Sequence, residues 1–271
     1  MSYKLTEKLL QLDNVSVAYD GNVVIKDISL IELDVVREGY TQGQTIAVLG
    51  RSGRGKSSLF KVLTGLIQPA TGSIFIRDFH SVDPTSAKLV KEGDIGFVNQ
   101  KYTLFRHKTV EQSLLYALRK TSLTNEQKKT KISEALIFWG MLEHKDKYPN
   151  ELSGGQQQRT AIIEQLFSSG HLMILDEPFS GLDVGNIENV KESFKLITST
   201  DELNTIIFST HDINLAVELA DSIYVIGRPE GQTASTILKH YDLKQMGLAW
   251  EEFGAQHLNL VNQIKTDLIN S

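Results

Sequence analysis

An α/β fold is predicted for this chain, a mostly parallel sheet covered by helices, and three observations predict it. Six short runs have strand length and composition: Val15 to Val17, Ile46 to Leu49, Ile95 to Val98, Leu172 to Leu175, Thr205 to Phe208 and Ile223 to Ile226. Helical patterns separate several of them, the alternation that builds a parallel sheet with ligands at the carboxyl ends of its strands. From about Lys101 to Leu152 the rhythm breaks. There Leu114, Leu115, Leu118, Ile132, Leu136, Trp139 and Leu142 recur at helical spacing, so an inserted helical subdomain is expected, with Trp139 filling its core.

Taken in order, the segment Val35 to Gly43 (VVREGYTQG) carries two glycines and predicts a long turn between two edge strands. The strand Ile46 to Leu49 then runs into Gly50-Arg51-Ser52-Gly53-Arg54-Gly55-Lys56-Ser57, followed by a helix through Leu59, Phe60, Val62 and Leu63. G-x-x-x-x-G-K-S between a strand and a helix is a phosphate loop. Its glycines let successive N–H groups point inward, and the helix N-terminus adds positive potential. Lys56 is expected on the outer phosphates and the Ser57 hydroxyl on Mg²⁺, with Gly50, Ser52, Gly53, Arg54, Gly55 and Ser58 completing the cradle.

Four apolar residues from Leu172 to Leu175 end in Asp176 and Glu177. The run buries the strand and delivers both carboxylates to the edge where the phosphate loop lies, so Asp176 is placed to hold Mg²⁺ and Glu177 to polarise an attacking water. After Gly227 one further strand is expected from Thr233 to Leu238, then a helix with Trp250, Phe253, Val261, Ile264 and Leu268 on one stripe. That stripe packs on the chain's own core or meets a partner.

Composition narrows the function. With 271 residues and 41% hydrophobic content the chain can bury a sizeable core and still carry a smaller subdomain. A net charge of -5 argues against a surface built to grip nucleic acid, and the Lys128, Lys129, Lys131 cluster reads as the solvated face of a helix. No cysteine is present, so disulfides, thiolate metal sites and cysteine nucleophiles are excluded. No apolar run is long enough to cross a bilayer, and Met1 to Lys8 lacks the apolar centre of a secretory signal, which leads to the expectation of a cytoplasmic chain.

A phosphate loop and an acidic strand end are common to many nucleotide-binding proteins. Leu152-Ser153-Gly154-Gly155-Gln156 is more specific: with the helical run after it, Gln100 after the strand Ile95 to Val98, the turn Ser180-Gly181-Leu182-Asp183 and His211 after the strand Thr205 to Phe208, it resembles the ATP-binding cassette (ABC) family from about Leu10 to Gly227. The resemblance implies a P-loop NTPase with an ABC-type core sheet, an inserted helical subdomain and an antiparallel β edge. Residues 1–100 and 153–240 would form the core, 101–152 the helical signalling subdomain and 241–271 a C-terminal helical tail.

It also implies roles. Tyr19 would stack on adenine; Gln100 would touch Mg²⁺ or the attacking water; His211 would hydrogen-bond the γ-phosphate; and Asp183 would contact a second protomer. Ser153 and the amides of Gly154 and Gly155, with Gln156, would form a second anion site serving the partner's ATP. The implied protein is an ATPase using ATP and Mg²⁺, a homodimer or paired ABC ATPase that drives integral membrane permease subunits from the inner face of the membrane. A soluble ABC ATPase of iron-sulfur assembly or repair is the alternative. Arg51 and Arg54 depart from the family pattern, which usually has smaller residues there, and the role of Val35 to Gly43 is open.

Overall fold

The computed structural model describes residues 3–99, 102–182 and 184–269. Two sheets share the work. The first is antiparallel, of order β2-β1-β4-β5, from β1 (Tyr3–Tyr19), β2 (Asn22–Arg37), β4 (Thr71–Arg77) and β5 (Ala87–Leu89). β1 and β2 meet through Asp20 and Gly21, both at positive φ, the two-residue turn whose twist suits a hairpin. The second sheet has the order β10-β9-β3-β8-β7-β6. Its members are β3 (Gln44–Leu49), β6 (Gly96–Val98), β7 (Leu172–Leu175), β8 (Thr205–Thr210) and β9 (Ser222–Gly227), all parallel, with β10 (Thr236–Asp242) antiparallel at one edge.

The parallel strands are buried on both faces, as continuous apolar runs require. Alternation divides them between two cores. Ile46, Val48 and Ile207 face the antiparallel sheet and α1 (Lys56–Leu63), whereas Ala47, Leu49, Phe208 and Val225 face the helical layer. That layer comprises α2 (Val110–Ala117), α3 (Asn125–Phe138), α4 (Gly154–Ser169), α5 (Val184–Thr200), α6 (Ile213–Leu219) and α7 (Ala255–Ile269). Because β3, β7 and β8 run parallel, with Leu49 opposite Thr210 and Leu175 opposite Phe208, the residues after each emerge at one edge.

From Val110 to Glu151 the described chain is helical, with α2, α3 and three short 3-10 turns and no strand. Leu114, Leu118, Ile132, Leu136 and Trp139 are buried there, while Leu115 and Leu142 face solvent. The N-terminal Thr109 and Thr124 close capping boxes on α2 and α3, so both helices begin where a side chain satisfies their first amides.

Three expectations need correction. The turn from Val35 to Gly43 is shorter, because β1 starts at Tyr3 and pairs Tyr3 to Leu5 with Val35 to Arg37, drawing those residues into β2. The strand placed at Thr233 to Leu238 starts at Thr236, because Ser235 instead bridges Ile25 of β2 through Ser235 N to Val24 O at 2.9 Å. In the tail, Trp250 and Phe253 precede α7, since Gly247 and Trp250 at φ +68° and +66° break the chain into turns. The buried stripe is His257, Leu260, Val261 and Ile264, packed into the helical-layer core together with Ala216 and Val217 of α6.

Candidate nucleotide site

The cradle forms where β3 ends. Between Leu49 and α1 the backbone turns through Gly53 and Gly55 at φ +75° and +86°, and a Cβ on Gly55 would stand 2.7 Å from Ile25 Cδ1 of β2. That left-handed backbone favours glycine, and any side chain there would also have to displace the buried Ile25. Gly55 is also the N-cap of α1 and supplies no side-chain acceptor, so the first amides of the helix are left for a ligand. Lys56, at 6% exposure, reaches back over the loop to donate to the Gly50 carbonyl at 2.7 Å.

The acids arrive from β7. Asp176 Oδ1 accepts the Ser209 hydroxyl at 2.7 Å, and Ser209 Oγ in turn accepts the Glu177 N–H at 2.8 Å. Ser209, fully buried on β8, thus fixes both acidic residues at once. Glu177 sits at φ +49°, a left-handed backbone that costs a non-glycine residue about 1 kcal/mol and is retained where the surroundings over-determine it. Its carboxylate meets Lys56 Nζ at 3.0 Å through Oε1 and His211 Nδ1 at 3.0 Å through Oε2. His211, beyond the end of β8, leaves Nε2 to the solvent side, with its ring 64% exposed.

These groups line one cavity of about 760 Å³, walled by Val24, the loop from Arg51 to Ser58, Asp176, Glu177, Ser180 and His211. The volume suits a nucleotide-sized ligand. The donor set suits a triphosphate: a buried ammonium, uncapped helix amides and hydroxyls from Ser52, Ser57 and Ser58. It also suits a hard divalent cation, which keeps waters and phosphate oxygens and needs only one or two protein oxygens, here the Ser57 hydroxyl and the Asp176 carboxylate.

The sequence-predicted residues fall into four groups. Ser52, Gly53, Arg54, Gly55, Lys56, Ser57, Ser58, Asp176, Glu177 and His211 share the cavity wall, and Gly50 stands behind it as the acceptor for Lys56. Tyr19, 41% exposed at the end of β1, is off the lining, one hairpin turn from Val24. Ser153, Gly154, Gly155 and Gln156 do not line this cavity either. Gln100 and Asp183 lie outside the described residues.

The Ser153 segment begins α4 with a capping box: Ser153 Oγ accepts the Gln156 N–H at 3.3 Å and Gln156 Oε1 accepts the Ser153 N–H at 2.9 Å. The Gln156 amide nitrogen lies 2.9 Å from His144 Nε2, so this side chain is engaged within its own chain. Ser153 and Gly154 are exposed. Sequence reasoning missed Ser209 and Val24. The signal for Ser209 was its place two residues before His211 on a strand whose end was already implicated.

Comparison with known proteins places these features. The ABC transporter family matches residues 33–180. The chain is 36% identical over 220 residues to the glycine betaine/carnitine/choline transport ATP-binding protein OpuCA of Bacillus subtilis, covering 80% of this chain and 55% of that protein. It is 32% identical over 234 residues to the sulfate/thiosulfate import ATP-binding protein CysA of Synechococcus elongatus, covering 86% and 64% respectively. The chain thus spans about half to two-thirds the length of these curated relatives. Among solved structures it resembles cbiO1 from Clostridium perfringens, part of the ABC transporter complex cbiONQ, with TM-score 0.70 and 26% identity over 90% of this chain and 92% of that one. A second likeness, to an ATP-binding subunit of an ABC transporter at TM-score 0.67 and 21% identity over 95% and 99%, concerns the fold alone.

Proposed function

This chain belongs to the ABC transporter family, and on that premise we propose that it binds and hydrolyses ATP as one of a pair of nucleotide-binding domains, driving conformational change in integral membrane permease subunits. The observation that carries the reading is the Lys56–Glu177–His211 chain across the mouth of the phosphate loop. A loop lysine and a strand-end carboxylate need not touch in a domain built for structure alone. Here they form an ion pair at the place where a phosphate would separate them.

The residues then act as follows. Loop amides and Lys56 hold the outer phosphates, and Lys56 exchanges its carboxylate partner for phosphate oxygen. Glu177 Oε1, released, accepts a hydrogen bond from the attacking water and orients it, while His211 keeps Oε2 and offers Nε2 to a phosphate oxygen. Mg²⁺, held by Ser57, Asp176 and Gln100, would neutralise charge on the transferring phosphoryl group. Tyr19 stacks on the base from the edge of the cavity.

Ser153 and the amides of Gly154 and Gly155 form an exposed helix N-terminus outside the cavity, the second anion site, and they serve a nucleotide bound to the partner. Asp183 contacts that partner. Each composite site pairs one chain's loop with the other's α4 terminus, an isologous arrangement in which the γ-phosphate joins the halves. Residues 101–152, a helical subdomain, pass the closure to the permease, and residues 241–271 complete the core as a tail. The relatives' names concern transport or import, which supports a transport role over one in cofactor assembly or repair. No helix among the described residues is long and apolar enough to cross a membrane, and we place the chain on the cytoplasmic face through its permease partners.

Glu177→Gln tests the reading. The amide keeps the shape but loses the water-orienting carboxylate and the Lys56 ion pair, so hydrolysis is expected to fall by about 10²-fold or more while ATP binding is retained. Gel filtration with ATP and Mg²⁺ is expected to show a dimer for this variant. A variant that stays monomeric, or that hydrolyses at the parental rate, contradicts the assignment.

A further inference from the structure

The two arginines of the phosphate loop are used differently. Arg51 reaches sideways and donates from its guanidinium to the Leu268 carbonyl of α7 at 3.3 Å. Arg54, held between Gly53 and Gly55, lines the cavity and is half-buried. Among the described residues no hydrogen bond, ion pair or ring contact engages its guanidinium.

The acids of the same wall are already committed. Glu177 is held by Lys56 and His211, and Asp176 Oδ1 by Ser209. A guanidinium partly removed from water needs an anion, and it presents paired N–H groups that match two oxygens of one phosphate. Lys56, Glu177 and His211 mark the end of the cavity where the last phosphate of a chain would lie, and Arg54 lines that cavity with them.

Resting on the ATP reading above, we infer that the Arg54 side chain is a second cation for the terminal phosphate of a nucleoside triphosphate, so that the site separates triphosphate from diphosphate by side-chain charge as well as by loop amides. A second cation adds nothing comparable for the diphosphate, because the group it binds has left. The smallest side chain would have sufficed for the loop amides alone, since its neighbours Gly53 and Gly55 supply the backbone conformation.

The test compares the full chain with Arg54→Ser and Arg54→Lys by titration with a non-hydrolysable ATP analogue and with ADP, at concentrations below and above dimer formation. Arg54→Ser is expected to weaken the triphosphate at least tenfold, the scale of a lost charge-assisted hydrogen bond, while ADP affinity changes less than about threefold. Arg54→Lys restores part of the loss, since it keeps the charge without the fork. Equal losses for both nucleotides, or none, overturn the inference. So does a loss confined to dimer-forming concentrations, which would direct Arg54 at the partner chain. A parent chain that binds neither nucleotide overturns the ATP reading, and this inference with it.

Discussion

Lys56, Glu177 and His211, the three side chains on which the proposed chemistry rests, illustrate how much support each needs. Glu177 is kept at φ +49° by the Ser209 hydroxyl beneath it and by Lys56 and His211 on its carboxylate. Lys56, Asp176, Glu177 and His211 were legible because a short motif or a strand end carries them. Ser209 was not, because its place two residues before His211 gains meaning only once β8 is laid beside β7. Glu164 on α4 is a second residue that only burial explains. Desolvation raises its carboxyl from 4.5 to about 7, with Arg119 partly opposing. Between those values the folded chain holds the proton that the unfolded chain has released, so stability falls as pH rises from about 4.5 to 7. Glu164→Gln removes that penalty and is expected to stabilise the chain at pH 8 by up to about 3 kcal/mol, the full value of the shift, with the gain fading toward pH 4.5. Urea unfolding at pH 8 and pH 5 checks this; equal gains at both would contradict it.

The elements explain where the residues can stand. α1 lies between the two sheets with Leu59, Phe60, Val62 and Leu63 buried, so the phosphate loop is anchored from behind and in front. α4 joins two regions: Arg159 donates to the Trp139 carbonyl at 3.1 Å and pairs with Glu192 of α5 at 2.7 Å. α7 runs along α6 and ends at Arg51 of the loop, and Lys239 pairs with its Asp267 at 2.9 Å. Tail and loop are therefore neighbours, although more than two hundred residues separate them in sequence. Ile264, fully buried on that helix, tests its weight. Ile264→Ala is expected to cost about 2–5 kcal/mol, through lost burial and the cavity left behind, measured by denaturant unfolding. A cost under about 1 kcal/mol would show that α7 is only loosely docked.

For the whole molecule the decisive feature is that the two helix termini proposed above as anion sites do not share a cavity. The start of α1 faces the 760 Å³ pocket, and the start of α4, with Ser153 and Gly154 exposed, stands outside it. Complementation between damaged chains follows from the paired arrangement proposed above. Lys56→Ala and Ser153→Arg are each expected to lose nearly all hydrolysis alone. In a mixture, one composite site of each heterodimer carries both lesions and the other carries neither. Mixing is thus expected to restore activity toward one working site per heterodimer. An ATPase assay on equimolar mixtures that stays at the level of the separate variants would oppose the paired arrangement.

The amino-acid sequence by itself determined the α/β class, the five strands of the parallel sheet, the phosphate loop, the acidic strand end and the family resemblance, because these rest on local periodicity and short motifs; the sixth run, Val15 to Val17, belongs to the antiparallel sheet. It placed the strand after Gly227 three residues early and the tail helix too near Trp250, since each boundary depends on what lies alongside: Ser235 bridges β2, and Gly247 with Trp250 turns the chain. The length of the β1–β2 hairpin was likewise hidden, because charged residues such as Lys4 and Glu7 enter a strand only when a partner strand satisfies their backbone groups. Tertiary structure alone decided that Lys56 meets Glu177, that Arg51 meets Leu268 and that Arg54 is left facing the cavity. Such pairings depend on which strand ends share an edge, and that is settled by the register of β3 against β8 and of β8 against β7.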